Sequence, residues 1–103
     1  LLGRLLASQL LPLGITVDCT PVLDLQFPKA DAVIGDRAFG ADPHTVALLS
    51  RAVCDGLRVG GVLPVIKHIP GHGRAMADSH IELPVVDTPA EELANTDFAP
   101  FRE

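Results

Sequence analysis

The residues best suited to chemistry lie in Lys67-His68-Ile69-Pro70-Gly71-His72-Gly73-Arg74-Ala75-Met76-Ala77-Asp78-Ser79-His80, which holds three of the chain's four histidines. Two chemistries fit this set. One is a metal centre, because His68, His72, Asp78 and His80 are all side-chain types that bind zinc or a similar ion. Against it, Pro70-Gly71 keeps His68 and His72 from being neighbours on one helical turn, and Lys67 brings a cation beside the ion. The other is acid/base work by Asp78 and His80. A carboxylate beside an imidazole orients the ring and stabilises its protonated form. Such a histidine can give a proton to a leaving group and then take one from water near neutral pH. Asp-x-His alone is a common spacing; Lys67, His68, His72 and Arg74 close by make an incidental solvated loop the weaker reading.

These groups need elements to present them. Leu2, Leu5, Leu6 and Leu10 recur at helical spacing, and Pro12 with Gly14 predicts the stop. Ile15-Thr16-Val17 and Val22-Leu23 are β-prone runs around Asp18-Cys19-Thr20-Pro21, predicting a strand that runs out into a loop. Residues 24–41 carry Pro28, Gly35 and Gly40 with Asp24, Lys29, Asp31, Asp36 and Arg37. A connection of that length in a compact domain is usually functional. Asp42-Pro43 predicts a capped helix start, Val46, Leu49, Val53 and Leu57 its apolar face, and Gly60-Gly61 its end.

Val62-Leu63-Pro64-Val65-Ile66 reads as a strand covered on both faces, ending at Lys67-His68. A polar loop follows from Ile69 to about Val86, in which Pro70, Gly71 and Gly73 exclude a regular helix. Thr88-Pro89-Ala90-Glu91 predicts one more helix, with Glu91 placed to complete a capping box. Alternation of this kind predicts an α/β fold with a parallel sheet and about three βα units. The histidine cluster then falls beyond the carboxyl end of a strand, where α/β folds place their active sites.

Composition narrows the partners. The 103 residues are 48% hydrophobic and 20% charged, which excludes a disordered chain and suits one compact domain rather than two. Eight Lys and Arg against 13 Asp and Glu leave a net charge of -5, so a nucleic-acid groove or an anionic membrane is disfavoured. Gly, Pro or a charge interrupts every apolar run short of the ~20 residues of a membrane helix. Cys19 and Cys54 sit in separate apolar runs and are expected to be buried free thiols rather than a disulfide. With no initiator Met and an opening inside a helical pattern, the chain reads as a cut piece of a larger protein.

Lys67-His68-Ile69-Pro70-Gly71-His72-Gly73, followed by Asp78-Ser79-His80 and Leu83-Pro84, resembles the signature of glycoside hydrolase family 3 β-N-acetylhexosaminidases of the NagZ type. The likeness extends upstream through Asp18-Cys19-Thr20-Pro21-Val22-Leu23-Asp24 and Gly35-Asp36-Arg37-Ala38-Phe39-Gly40-Ala41-Asp42-Pro43. Downstream it runs through Glu91-Glu92-Leu93 to Asp97-Phe98-Ala99-Pro100-Phe101.

The resemblance implies an internal piece of a (β/α)₈ TIM barrel, a fold that needs ~250 residues when complete. It implies His80 as the general acid/base on a mobile loop, with Asp78 as its dyad partner. Lys67 and His68 are implied to hold sugar hydroxyls, Arg37 to make a further substrate contact, and His72 to order the loop. The implied reaction is retaining hydrolysis of terminal β-linked N-acetylglucosamine in cell-wall muropeptide recycling, in the cytoplasm, with no metal or organic cofactor. A histidine acid/base departs from the usual pair of carboxylates. The nucleophilic Asp is expected from a later strand, beyond Glu103, and the family's early Asp-Gln-Glu-Gly-Gly segment is absent from the sequence. Self-association, or cover by the missing barrel segments, is expected of such a piece. A metal-dependent barrel hydrolase and a noncatalytic carbohydrate-binding or assembly module are the competing readings.

Overall fold

Asp42 begins the longest element, and it does so through its side chain. Its Oδ2 accepts the Thr45 backbone N–H at 2.7 Å and lies 2.6 Å from the Thr45 hydroxyl, satisfying a donor that the first turn leaves free. In this computed structural model, which describes residues 1–28 and 33–103, the helix runs over Pro43–Val59 (α2). Lys29 and Asp31, placed by the sequence in the long connection, lie outside the described residues. Before α2 come the helix Leu2–Leu10 (α1) and the strand Val17–Asp18 (β1); after it come the strand Leu63–Pro64 (β2) and the short helix Ala90–Asn95 (α3).

The order is the expected one, α1-β1-α2-β2-α3, with two strands among the described residues and so two strand–helix units behind a leading helix rather than three. β1 and β2 pair in parallel, Val17 opposite Leu63 and Asp18 opposite Pro64. The ladder is interrupted at Cys19–Pro21 and resumes where Val22 bridges Lys67, with Leu23 N–H donating to the Lys67 carbonyl at 2.7 Å. This second stretch carries the chain past β2 and brings Asp24 to the site. The Thr20–Pro21, Lys67–His68 and Ile69–Pro70 peptide bonds are cis.

Two small cores hold the elements together. Ala7, Val53, Leu57 and Val62 form one between α1, α2 and the start of the β2 segment; Leu23, Leu25 and Val46 form the other, and Phe39 packs against both. α1 meets α2 through glycine. A Cβ on Gly3 would stand 2.2 Å from the Val53 carbonyl oxygen, and one on Gly56 would stand 2.9 Å from the Gly3 Cα.

That close approach corrects the expected α1 face. Gly3 and Ala7 are buried and Leu6 and Leu10 half-buried, whereas Leu2 and Leu5 are exposed, because backbone contact needs small residues on the shared side. On α2, Ser50 takes the buried position expected of Leu49, which is exposed. Strand cover differs as well: Val62 is buried, but Leu63 and Val65 on the alternate face are exposed, as is Val17 beside them. α3 begins without the predicted capping box, for Pro89 is its cap residue and no side chain closes it. Cys54 is half-buried and Cys19 exposed, both free, so neither is the fully buried thiol expected, though no disulfide joins them.

Candidate active site

The loop after β2 is pinned at its base before it reaches Asp78. Gly71 N–H donates to the His68 carbonyl at 2.7 Å, and Gly71 takes φ of +129°, a backbone state open to glycine. Gly73 lies so close to the backbone of the segment after Val22 that a Cβ would come within 2.0 Å of the Leu25 carbonyl oxygen. Arg74 then turns inward. Its Nε donates to Asp97 Oδ2 at 2.7 Å, its Nη2 donates to Glu92 at 2.9 Å and to the Thr96 hydroxyl at 3.2 Å, and its guanidinium covers the Phe27 ring at 4.3 Å. The Asp97 hydrogen bond, ahead of the nearby negative charges, holds the Arg74 pKa above its ordinary value. Arg74, grouped by the sequence with the chemistry, is an anchor between this loop and α3.

Beyond the anchor the loop makes a tight turn, with Ile81 and Glu82 N–H groups both donating to the Asp78 carbonyl. Within it the Asp78 carboxylate accepts the His80 backbone N–H at 2.9 Å, and the same oxygen lies 2.6 Å from His80 Nδ1. Those two interactions, the backbone one first, hold the Asp78 carboxyl below its ordinary value. With Nδ1 engaged, Nε2 is the nitrogen left free to exchange protons, and the ring is 85% exposed.

A second Asp–His pair stands at the carboxyl ends of the strands. His68 Nδ1 lies 2.6 Å from Asp24 Oδ2, while Asp24 Oδ1 accepts the His72 backbone N–H at 2.6 Å and, more weakly, the His68 backbone N–H at 3.4 Å. Asp24 is fully buried; the His68 side chain is 41% exposed. The His68 and His72 rings meet edge to face at 6.2 Å, and His72 Nδ1 is buried with no hydrogen-bond partner among the described residues.

The predicted residues converge in part. Arg37, His68, His72, Ser79 and His80 line one cavity of about 90 Å³. Lys67 lines a neighbouring cavity of about 250 Å³, and Arg37 stands in the wall of both. Arg37 itself folds back on its own loop, donating to the Val33 and Ile34 carbonyls. No motif in the sequence assigns a role to Asp24 or Asp97. The signal for Asp24 was an acid set between Leu23 and Leu25 at a strand end, where a carboxylate is buried only if it is hydrogen-bonded. Among the described residues no three His, Cys, Asp or Glu side chains come together to hold a metal ion.

Residues 2–103 match the model of the glycosyl hydrolase family 3 N-terminal domain. The chain belongs to glycosyl hydrolase family 3. A beta-hexosaminidase of Mycobacterium tuberculosis, LpqI, is 48% identical over 101 residues, which are 98% of this chain and 26% of that protein. The beta-hexosaminidase of Aromatoleum aromaticum is 44% identical over 97% of this chain and 28% of its own length. Native NagZ from Neisseria gonorrhoeae superposes with a TM-score of 0.90 at 46% identity, covering 97% of this chain and 29% of that one.

NagZ of the same organism has been solved with N-trifluoroacetyl-D-glucosamine, again at 46% identity and TM-score 0.90, covering 97% of this chain and 29% of that one. This family 3 chain therefore spans less than a third of the length of these relatives. It is a partial barrel of the α/β class, and the exposed alternate face of β1 and β2 is the face that a closed barrel fills with side chains from its other strands. No helix among the described residues is long and apolar enough to cross a membrane.

Proposed function

We propose that this chain supplies the acid/base half of a retaining β-N-acetylhexosaminidase acting on terminal β-linked N-acetylglucosamine. The observation that carries this reading is the Asp78–His80 pair, 2.6 Å apart on a solvent-open loop, with His80 lining the same cavity as Arg37 and His68. In the first step a carboxylate from outside these residues attacks the anomeric carbon, and His80 Nε2 protonates the departing oxygen. In the second step His80 takes a proton from water, whose oxygen bonds to the anomeric carbon, displaces the carboxylate and so releases the sugar. Asp78 keeps Nδ1 occupied, fixes the ring and stabilises the imidazolium that enters the first step and is restored by the second.

Arg37, Lys67 and His68 bind sugar hydroxyls, and His72 orders the loop through the N–H it gives to Asp24. The relatives named beta-hexosaminidase and the N-trifluoroacetyl-D-glucosamine complex of the Neisseria enzyme support this substrate class. Turnover of cell-wall muropeptides in the cytoplasm is the setting that the motif resemblance favours, and fractionation of cells with an antibody to this chain tests the location.

The deciding experiment uses the full-length protein that carries this chain and an aryl β-N-acetylglucosaminide. His80→Ala should lower kcat by about 10²–10⁴-fold, and Lys67→Ala should mainly raise KM. Equal effects of the two substitutions on both parameters would overturn the assignment of roles.

A further inference from the structure

Asp24 is a fully buried carboxylate, 44 residues from His68 in sequence, and it faces three nitrogens, two of them backbone N–H donors. Its two oxygens are not equivalent. Oδ1 takes both backbone N–H groups, those of His72 and His68; Oδ2 takes only the His68 ring nitrogen. A backbone N–H is always a donor, so the atom at Oδ1 must be an acceptor. A carboxylate accepts at both oxygens, so Nδ1 of His68 must carry a proton. In the neutral ring Nε2 is then a bare acceptor, and this is the nitrogen not engaged by Asp24.

We infer that Asp24 is a positioning residue that acts through His68, holding Nδ1–H so that Nε2 accepts a hydrogen bond from a hydroxyl of the bound sugar. The inference rests on the reading of His68 as a sugar-binding group. It assigns the two Asp–His pairs separate tasks. Asp78–His80, with its ring 85% exposed, moves protons; Asp24–His68, built on a fully buried acid, sets the polarity of one contact.

Asp24→Asn separates this role from a structural one. The two backbone donors demand the amide oxygen at Oδ1, so the amide NH₂ occupies the Oδ2 position and points at the His68 ring. Nδ1 must then accept, the proton moves to Nε2, and the face offered to the sugar changes from acceptor to donor. A similar tautomer reversal is known to disable a catalytic histidine when its buried Asp becomes Asn.

The test uses the full-length protein that carries this chain. Nitrogen-15 NMR of the His68 ring in the substrate-free wild type should show Nδ1 protonated, and in Asp24→Asn the proton should sit on Nε2. With an aryl β-N-acetylglucosaminide, Asp24→Asn should raise KM about tenfold and change kcat less, a loss typical of one polar contact. In a His68→Ala background the same substitution should have almost no further effect on KM, because the two residues act as one unit.

An Nε2–H tautomer in the wild type overturns the inference without any variant having to fold. Equal KM losses from Asp24→Asn with and without His68 overturn it too, and indicate a structural carboxylate. Should the wild type show the predicted tautomer and yet fail to hydrolyse the glycoside, the proposed function fails while the assignment of Asp24 to the His68 ring survives.

Discussion

At the scale of single residues, two interactions from His80 to one carboxylate define the turn that carries the proposed acid/base group. Their effect on Asp78 has a sign that can be worked out. Both favour the ionised form, so its pKa in the folded loop lies below the ordinary value of 3.8. A depressed carboxyl stabilises the folded turn above that ordinary value and loses its contribution as pH falls through the depressed one. The side-chain carboxyl carbon signal of Asp78 in NMR should therefore titrate with a midpoint below 3.8. A midpoint above 3.8 would contradict the arrangement. Asp78 and His80 were legible in sequence because the contact spans only two residues and depends on one local turn.

At the scale of elements, the loop is only as steady as the supports behind it. Arg74 connects the loop base to α3 through Glu92 and to the residues just after it through Asp97, which is 2% exposed. Arg74→Met leaves that carboxylate buried with Thr96 as its remaining side-chain partner, and should cost about 3 kcal/mol in urea unfolding. The α1–α2 crossing depends on the absence of a side chain. Gly56→Ala puts a Cβ against the Gly3 and Arg4 backbone, which cannot yield as a flexible side chain would, and should destabilise by about 1–3 kcal/mol in the same measurement.

The sequence placed both helices but not their shared face. A search for apolar periodicity weights leucine, whereas the tightest crossing selects glycine and alanine. The missing α3 cap has a similar lesson. Thr88 and Glu91 have the right spacing, yet the helix begins at Ala90 behind Pro89, and a capping box needs its Thr at the cap position itself.

At the scale of the molecule, the chain is a slab of 43 × 29 × 18 Å with a radius of gyration of 14.4 Å. A compact domain of this length has a radius of about 13 Å, so the shape is that of a slice. Its two-stranded sheet has exposed Val17, Leu63 and Val65 on one face, and Leu2, Leu5 and Leu13 are exposed elsewhere. Apolar faces and unpaired strand edges of this kind recruit other chains.

The 103-residue chain made alone should therefore give no measurable turnover of an aryl β-N-acetylglucosaminide, and its mass in solution should rise with concentration. Sedimentation equilibrium and a single glycosidase assay check both outcomes. A strictly monomeric sample with a sharp, reversible unfolding transition would contradict the second, and turnover would contradict the first.

Sequence by itself determined what depends on neighbours along the chain. The order of helices and strands, the Asp42 cap, the glycine and proline breaks after β2 and the Asp78–His80 spacing all follow from local backbone preferences and short-range hydrogen bonds. Tertiary structure alone decided which acid meets His68, where Arg74 points and which side of α1 is buried. Asp24 reaches His68 across 44 residues and Asp97 reaches Arg74 across 23, so each contact exists only after the strands pair and the loop seats on Leu25. Burial then gives those contacts their force, because a carboxylate removed from water must find its donors among whatever groups the fold has brought beside it.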